Sequence, residues 1–325
     1  MDTHKIFDID TPGKFEFQAL EIFRFQYLNN PIYREFCEHL GKTTSNVKGV
    51  SDIPFLPIEF FKSKQVISGN APVNITFTSS GTTGNQVSQH HVIDLKLYER
   101  SYQRSFALFY GDISDYCVLA LLPSYLEREG SSLVYMVNDL IEQSGHPESG
   151  FYLKDQEGLK ATLSRLDADG KELLLIGVSF ALLEMAETHT LNLKHTVVME
   201  TGGMKGRRRE LIREELHTAL KKGFGVNAIH SEYGMTELLS QAYSQGHGIF
   251  KCPPWMKILV RDTEDPFALQ RIGKTGGINV IDLANVNSCS FIATQDLGRV
   301  YADGSFEVIG RFDHSDIRGC NLMVL

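Results

Sequence analysis

The chain has 325 residues, 42% hydrophobic and 22% charged, with a formal net charge of -8. That composition suits a globular protein with a real core, and the acidic balance excludes a protein that holds nucleic acid through a basic surface. Five cysteines lie scattered without CxxC spacing, which argues against a zinc site or a disulfide framework. The polar N-terminus and the lack of any run of about 18 apolar residues point to a cytoplasmic protein with no membrane span.

Helical spacing over 14–41 and two prolines in IPFLPIEFFKSKQV predict a helical start followed by an extended packing segment. NITFTSS (74–80) reads as a strand entering a Gly/Thr loop. The chain then alternates. Helices are expected at 94–110, 131–144, 158–168, 180–188 and 207–222, and strands at 116–124, 172–179, 196–203 and 227–234. This rhythm predicts a parallel or mixed sheet covered by helices. Beyond 245 short segments at 256–262, 278–282, 289–293 and 298–309 read as a β meander, with a turn at Ala302-Asp303-Gly304.

TSSGTTG (78–84) is the sharpest local signal. Gly81 and Gly84 let the backbone approach a ligand closely, and Thr78, Ser79, Ser80, Thr82 and Thr83 supply hydroxyls suited to phosphate oxygens. No GK[ST] follows, so it is not a Walker A loop, and a solvated hairpin turn remains the plain alternative. Thr201-Gly202-Gly203 lies at a predicted strand end, where open α/β sheets bind ligands, although a simple βα turn explains it equally. In Tyr233-Gly234-Met235-Thr236-Glu237 the aromatic ring can stack on a base and the carboxylate can hold Mg²⁺; the plain alternative is a helix N-terminus. Asp296 and Arg311 lie on either side of a turn. They suit a ribose diol and a phosphate, or a surface salt bridge.

In this order the segments TSSGTTG, TGG, YGMTE, DLG (296–298) and GRFD (310–313) resemble the acyl-adenylate-forming superfamily of acyl-CoA synthetases and peptide-synthetase adenylation domains. The resemblance implies a large α/β adenylation domain of parallel and mixed sheets with a β-rich C-terminal part. A single domain over 1–325 is expected, α/β to about 245 and β-rich over 246–325. It implies ATP and Mg²⁺ as cofactors, with 78–84 at the β,γ-phosphates and Gly202, Gly203 and Tyr233 beside adenine. Gly234 belongs to the same motif, Thr236 would contact the α-phosphate, Glu237 would bind the metal, and Asp296 and Arg311 would hold ribose. Two departures stand out. The phosphate loop continues Asn85-Gln86 where the family has Pro-Lys, and the sequence ends too soon after Asp313 for the family's small C-terminal lid, which is therefore expected to be absent.

The IPFLPIEFFKS segment, CPPWMKILVRD (252–262) and the Arg318-Gly319-Cys320 ending resemble the acyl-protein synthetase (LuxE-type) branch. That likeness implies a fatty or aromatic acid as substrate, Cys320 as acyl acceptor and an acyl-accepting protein or reductase as partner. A phenylacetate-type CoA ligase and a non-catalytic nucleotide-binding scaffold are the competing readings. His90 and His91 could face phosphate or acyl chain but read more simply as structural. Ser131 and Ser132 could line the acyl side but read more simply as helix caps, and Arg207-Arg208-Arg209 as a solvated helix face.

Overall fold

The computed structural model describes residues 3–79, 87–123, 130–202 and 211–312. Helix α1 (Pro12–Asn29) begins where Thr11 accepts the Lys14 N–H and Pro12 presets the first helical φ. It stops at Asn30, whose side chain caps α2 (Pro31–His39) by accepting the Tyr33 N–H at 3.0 Å. The segment read as extended contains a two-residue strand, β1 (Leu56–Pro57), and a single helical turn, α3 (Phe60–Ser63).

A hairpin follows, β2 (Ile75–Thr78) with β3 (Gln89–Val92), pairing Phe77 with His90 and Thr78 with Gln89. After α4 (Leu95–Tyr110) the alternation runs β4 (Cys117–Leu121), α5 (Ser132–Ser144), β5 (Gly150–Phe151), α6 (Gln156–Ala168) and β6 (Leu173–Gly177). It continues through α7 (Ser179–Thr188), β7 (Thr196–Glu200), α8 (Arg213–Phe224), β8 (His230–Tyr233) and β9 (Ala242–Ser244), then a short β10 (Ile249–Phe250). The sheet order is β5-β4-β6-β7-β8-β9, parallel up to β8 and antiparallel at β9. The CVLAL and LLLIG strands are buried along their whole length, as expected of strands covered on both faces. Gly177 ends β6 because a Cβ there would sit 2.8 Å from that of Leu121. The C-terminal ends of the parallel strands thus deliver 122–123, 178, 201–202 and 234–237 to one edge of the sheet.

The meander is β11 (Met256–Arg261), β12 (Thr275–Asp282), β13 (Phe291–Val300) and β14 (Phe306–Arg311), all antiparallel neighbours. Two of the four expected segments are longer than read. β12 starts earlier, at Thr275, and β13 runs on through the DLG residues. Glycines lie at the two register shifts, one between Gly277 and Asn279 and one between Leu297 and Gly298.

Two compact units result. Val73–Pro253 forms one, and the described residues before Val73 join those after Pro253 in the other. The second unit is held by buried amides as well as apolar side chains. Gln26 donates to the Asn285 and Val286 carbonyls and accepts the Ser290 N–H at 3.0 Å. Asn30 donates to the Ser288 carbonyl, and Tyr33 stacks on Phe291 with ring centroids 6.0 Å apart. β1 pairs in parallel with β13, Leu56 opposite Ile292. Among the described residues no helix is long and apolar enough to cross a membrane.

Candidate functional site

In the α/β unit, the β2–β3 hairpin carries the Ser/Thr/Gly loop. Thr78 and Ser79 are described; Ser80, Gly81, Thr82, Thr83 and Gly84 lie outside the described residues. The loop's base is pinned. The Ser79 N–H donates to the Ser88 carbonyl at 3.1 Å, and the Ser88 N–H donates to Ser79 Oγ at 3.0 Å. The Thr78 N–H donates to the Gly130 carbonyl at 2.7 Å. Gly130 has φ +79°, and a Cβ on it would lie 2.9 Å from Thr78 Oγ1, so only glycine fits there.

Thr201 and Gly202 follow β7 at the sheet edge; Gly203 lies outside the described residues. Gly202 takes φ +69°, which turns its N–H onto Glu200 Oε2 at 2.8 Å. Glu200 heads the same strand-end segment and is a buried carboxylate with several polar partners. Ser179 Oγ donates to it at 3.0 Å, with Arg213 Nε at 3.8 Å and His217 Nε2 at 3.6 Å. Burial pushes this carboxyl up, but His217, Arg213 and the Gly202 N–H outweigh that, and it is held at about 2. The adjacent strand carries Glu232, half-buried, which burial and then the Glu200 charge push up to about 8. An ionised and a protonated carboxyl therefore share this edge near neutral pH.

Tyr233 is the last residue of β8, 8% exposed, with its ring edge-to-face on Phe250 at 5.9 Å. Gly234 leads into Thr236 and Glu237, which form a turn rather than the helix start considered above; the Leu238 N–H closes it on the Met235 carbonyl at 3.0 Å. Glu237 is 5% exposed. His90, buried in β3, places Nδ1 2.8 Å from the Thr236 carbonyl, so the hairpin and the YGMTE turn touch. His91 bonds Thr76 Oγ1 through Nδ1 at 2.9 Å. Ser131 is a helix cap, accepting the Val134 N–H, and the Ser132 carbonyl accepts the Tyr98 hydroxyl at 2.9 Å. Arg207, Arg208 and Arg209 lie outside the described residues.

In the β-rich unit, Asp296 on β13 faces Arg311 on β14 in register. Arg311 Nε donates to Asp296 Oδ1 at 3.0 Å; the carboxylate side is buried and the guanidinium side half-exposed. The pair rests on a polar relay. The Asp296 N–H donates to Thr294 Oγ1, and Thr294 Oγ1 donates to the Ile278 carbonyl at the β12 bulge. Arg261 binds the same carbonyl at 2.7 Å, together with Asn279 Oδ1 and the Thr294 carbonyl, and lies 5.5 Å from the Phe312 ring centroid. Gly277 leaves room for it, since a Cβ there would meet the guanidinium carbon at 2.5 Å. Nothing in the sequence signalled this hub beyond an arginine at the end of an alternating strand.

No group of three or more His, Cys, Asp or Glu among the described residues forms a metal cage. A magnesium ion that keeps its waters and substrate phosphates needs one or two protein carboxylates, and Glu237 fits that demand. None of the four described cysteines forms a disulfide. Burial pushes the Cys37 thiol up to about 12 and raises Cys117 and Cys289 as well, which makes these three poor nucleophiles. Cys320 lies outside the described residues.

Residues 12–115 match a family model described as acyl-protein synthetase, LuxE. The chain is 26% identical to the long-chain-fatty-acid–luciferin-component ligase of Vibrio harveyi, over 92% of this chain and 84% of that protein. Among solved structures, 2-hydroxyisobutyryl-CoA ligase bound to 2-HIB-AMP and CoA matches 93% of this chain and 70% of its own, with TM-score 0.66 and 12% identity. ATP-bound MatB from Rhodopseudomonas palustris matches 75% of this chain at TM-score 0.54 and 18% identity. The match spans about half of the MatB chain, 49%. The fold is that of these ligases: α/β with mixed sheets and a β-rich C-terminal part.

Proposed function

We propose, for a chain most like the LuxE-type acyl-protein synthetases, that it uses ATP to activate a carboxylic acid as an acyl-adenylate and then hands the acyl group to a protein thiol. The observation that carries this reading is the likeness to the Vibrio harveyi ligase across 92% of the chain. That relative's name makes a long-chain fatty acid the first substrate to test and an acyl-accepting protein the first partner.

In this reading the acid's carboxylate oxygen bonds to the α-phosphorus of ATP while the bond to the β-phosphate oxygen breaks and pyrophosphate leaves. Residues 78–84 hold the β,γ-phosphates through backbone N–H groups and hydroxyls. Gly202, Gly203, Tyr233 and Gly234 lie beside adenine, Thr236 contacts the α-phosphate, and Asp296 with Arg311 holds the ribose. Glu237 would hold Mg²⁺, which when bound neutralises charge growing on the phosphates. A cysteine thiolate then attacks the acyl carbonyl, the C–S bond forms, the C–O bond to AMP breaks, and the thiol proton goes to solvent. Cys37, Cys117 and Cys289 are buried with raised thiols and Cys252 is half-buried, and the resemblance to the LuxE-type branch makes Cys320 the first acceptor to test.

The test is incubation with ATP, Mg²⁺ and a panel of fatty and aromatic acids, read by pyrophosphate release and intact mass. A mass increase matching one acid, lost in Cys320→Ser while pyrophosphate release persists, supports the full sequence. Labelling that survives Cys320→Ser removes the cysteine assignment. No pyrophosphate with any acid removes the adenylation step.

A further inference from the structure

The β2–β3 hairpin does more than present a loop. Adjacent strand residues point to opposite faces, so His90 and His91 have different surroundings. His91 bonds within the hairpin, to Thr76. His90 is 1% exposed, and its Nδ1 reaches 2.8 Å to the carbonyl of Thr236, far along the chain. A carbonyl oxygen only accepts, so Nδ1 carries the proton and donates it. His90 stands opposite Phe77, one residue pair from Thr78 and Gln89 and therefore close to the pinned base of the Ser/Thr/Gly loop. The carbonyl it binds belongs to the residue that immediately precedes Glu237, in a turn closed locally by one backbone bond from Leu238 to Met235.

The geometry points to His90 as a positioning residue that ties the Thr236–Glu237 turn to the hairpin carrying the Ser/Thr/Gly loop. Removing the imidazole donor leaves the carbonyl of half-buried Thr236 short of a hydrogen bond, and the turn shifts to recover one. Displacement of about an ångström at reacting groups costs far more in rate than in ground-state binding. The kinetic part of this inference rests on the adenylation reading; the structural part does not.

Three proteins test it: wild type, His90→Leu and His90→Asn. The asparagine Nδ2 stands about where the imidazole Nδ1 stands and can donate to the same carbonyl. His90→Phe, flat but without a donor, takes the place of leucine if that variant does not fold. Backbone hydrogen exchange across 235–240 is read first, since it needs no substrate. Faster exchange there in His90→Leu, with His90→Asn close to wild type, is expected. Equal exchange in all three, or equally fast exchange in both variants, overturns the inference. In acid-dependent pyrophosphate release, His90→Leu is expected to lose roughly 10- to 100-fold in kcat with little change in KM for ATP, and His90→Asn to recover most of it. A loss confined to KM, or no recovery with asparagine, also overturns it. A wild type that releases no pyrophosphate with any acid defeats the adenylation reading alone, and the exchange comparison still decides whether His90 holds the turn.

Discussion

Arg311 reaches across one rung of the β13–β14 ladder to place its Nε 3.0 Å from Asp296 Oδ1, and only the carboxylate is buried. A half-exposed guanidinium held by a fixed carboxylate is ready to bind a second anion or a diol while Asp296 keeps its orientation through Thr294.

Asp296→Ala should therefore lower kcat/KM for ATP by about 10- to 100-fold, the range for losing hydrogen bonds to a charged group. Arg311→Lys should lose most of the same factor, because an ammonium lacks the guanidinium's fixed fork. ATP-dependence of pyrophosphate release measures both.

Glu237→Gln keeps the size of the side chain and removes its charge. The expected result is a loss of about 100-fold or more in kcat, in the range for removing a group that stabilises developing charge, with a higher Mg²⁺ concentration needed for half-maximal rate. A magnesium titration of the variant against wild type checks it.

The two carboxyls at the sheet edge have opposite pH signatures. Glu200 is lowered from its ordinary 4.5 to about 2, so its contribution is full above about 4.5 and is lost as pH falls towards 2. Glu232 is raised from 4.5 to about 8, so a folding penalty builds as pH rises from about 4.5 to about 8 and then levels off. Glu232→Gln should remove that penalty, stabilising the protein by up to a few kcal/mol at pH 8 and little at pH 5. Glu200→Ala should cost about 3 kcal/mol at pH 7, less at pH 3, because it removes the carboxylate that Ser179, the Gly202 N–H, Arg213 and His217 all face. Urea unfolding across this pH range reads both.

Gly223 in α8 allows α7 to pack closely, since a Cβ there would lie 2.4 Å from that of Ala186. Gly223→Ala should destabilise the protein by roughly 1–3 kcal/mol despite alanine's better helix propensity. A lowered unfolding midpoint is the readout.

The apolar runs CVLAL and LLLIG announced buried parallel strands because such strands need no alternation. The YGMTE, DLG and GRFD segments were legible as candidates from side-chain chemistry. What stayed hidden depends on long-range partners. Gln26 and Asn30 carry no local sign of the 285–290 carbonyls they bind. His90 acquires its meaning from Thr236, and Arg261 from a bulge on the neighbouring strand. Glycines at 277 and 298 serve as close contacts under a guanidinium and a neighbouring strand, which no local pattern announces.

The discontinuity of the second unit has a consequence for synthesis. Val73–Pro253 is one continuous stretch and can fold once it has left the ribosome. The helices made before it cannot finish. Gln26, Asn30 and Tyr33 wait for carbonyls and a phenylalanine ring at 285–291, translated only after Pro253. A nascent chain arrested after Pro253 should therefore resist protease across its middle while its first 72 residues are still cut.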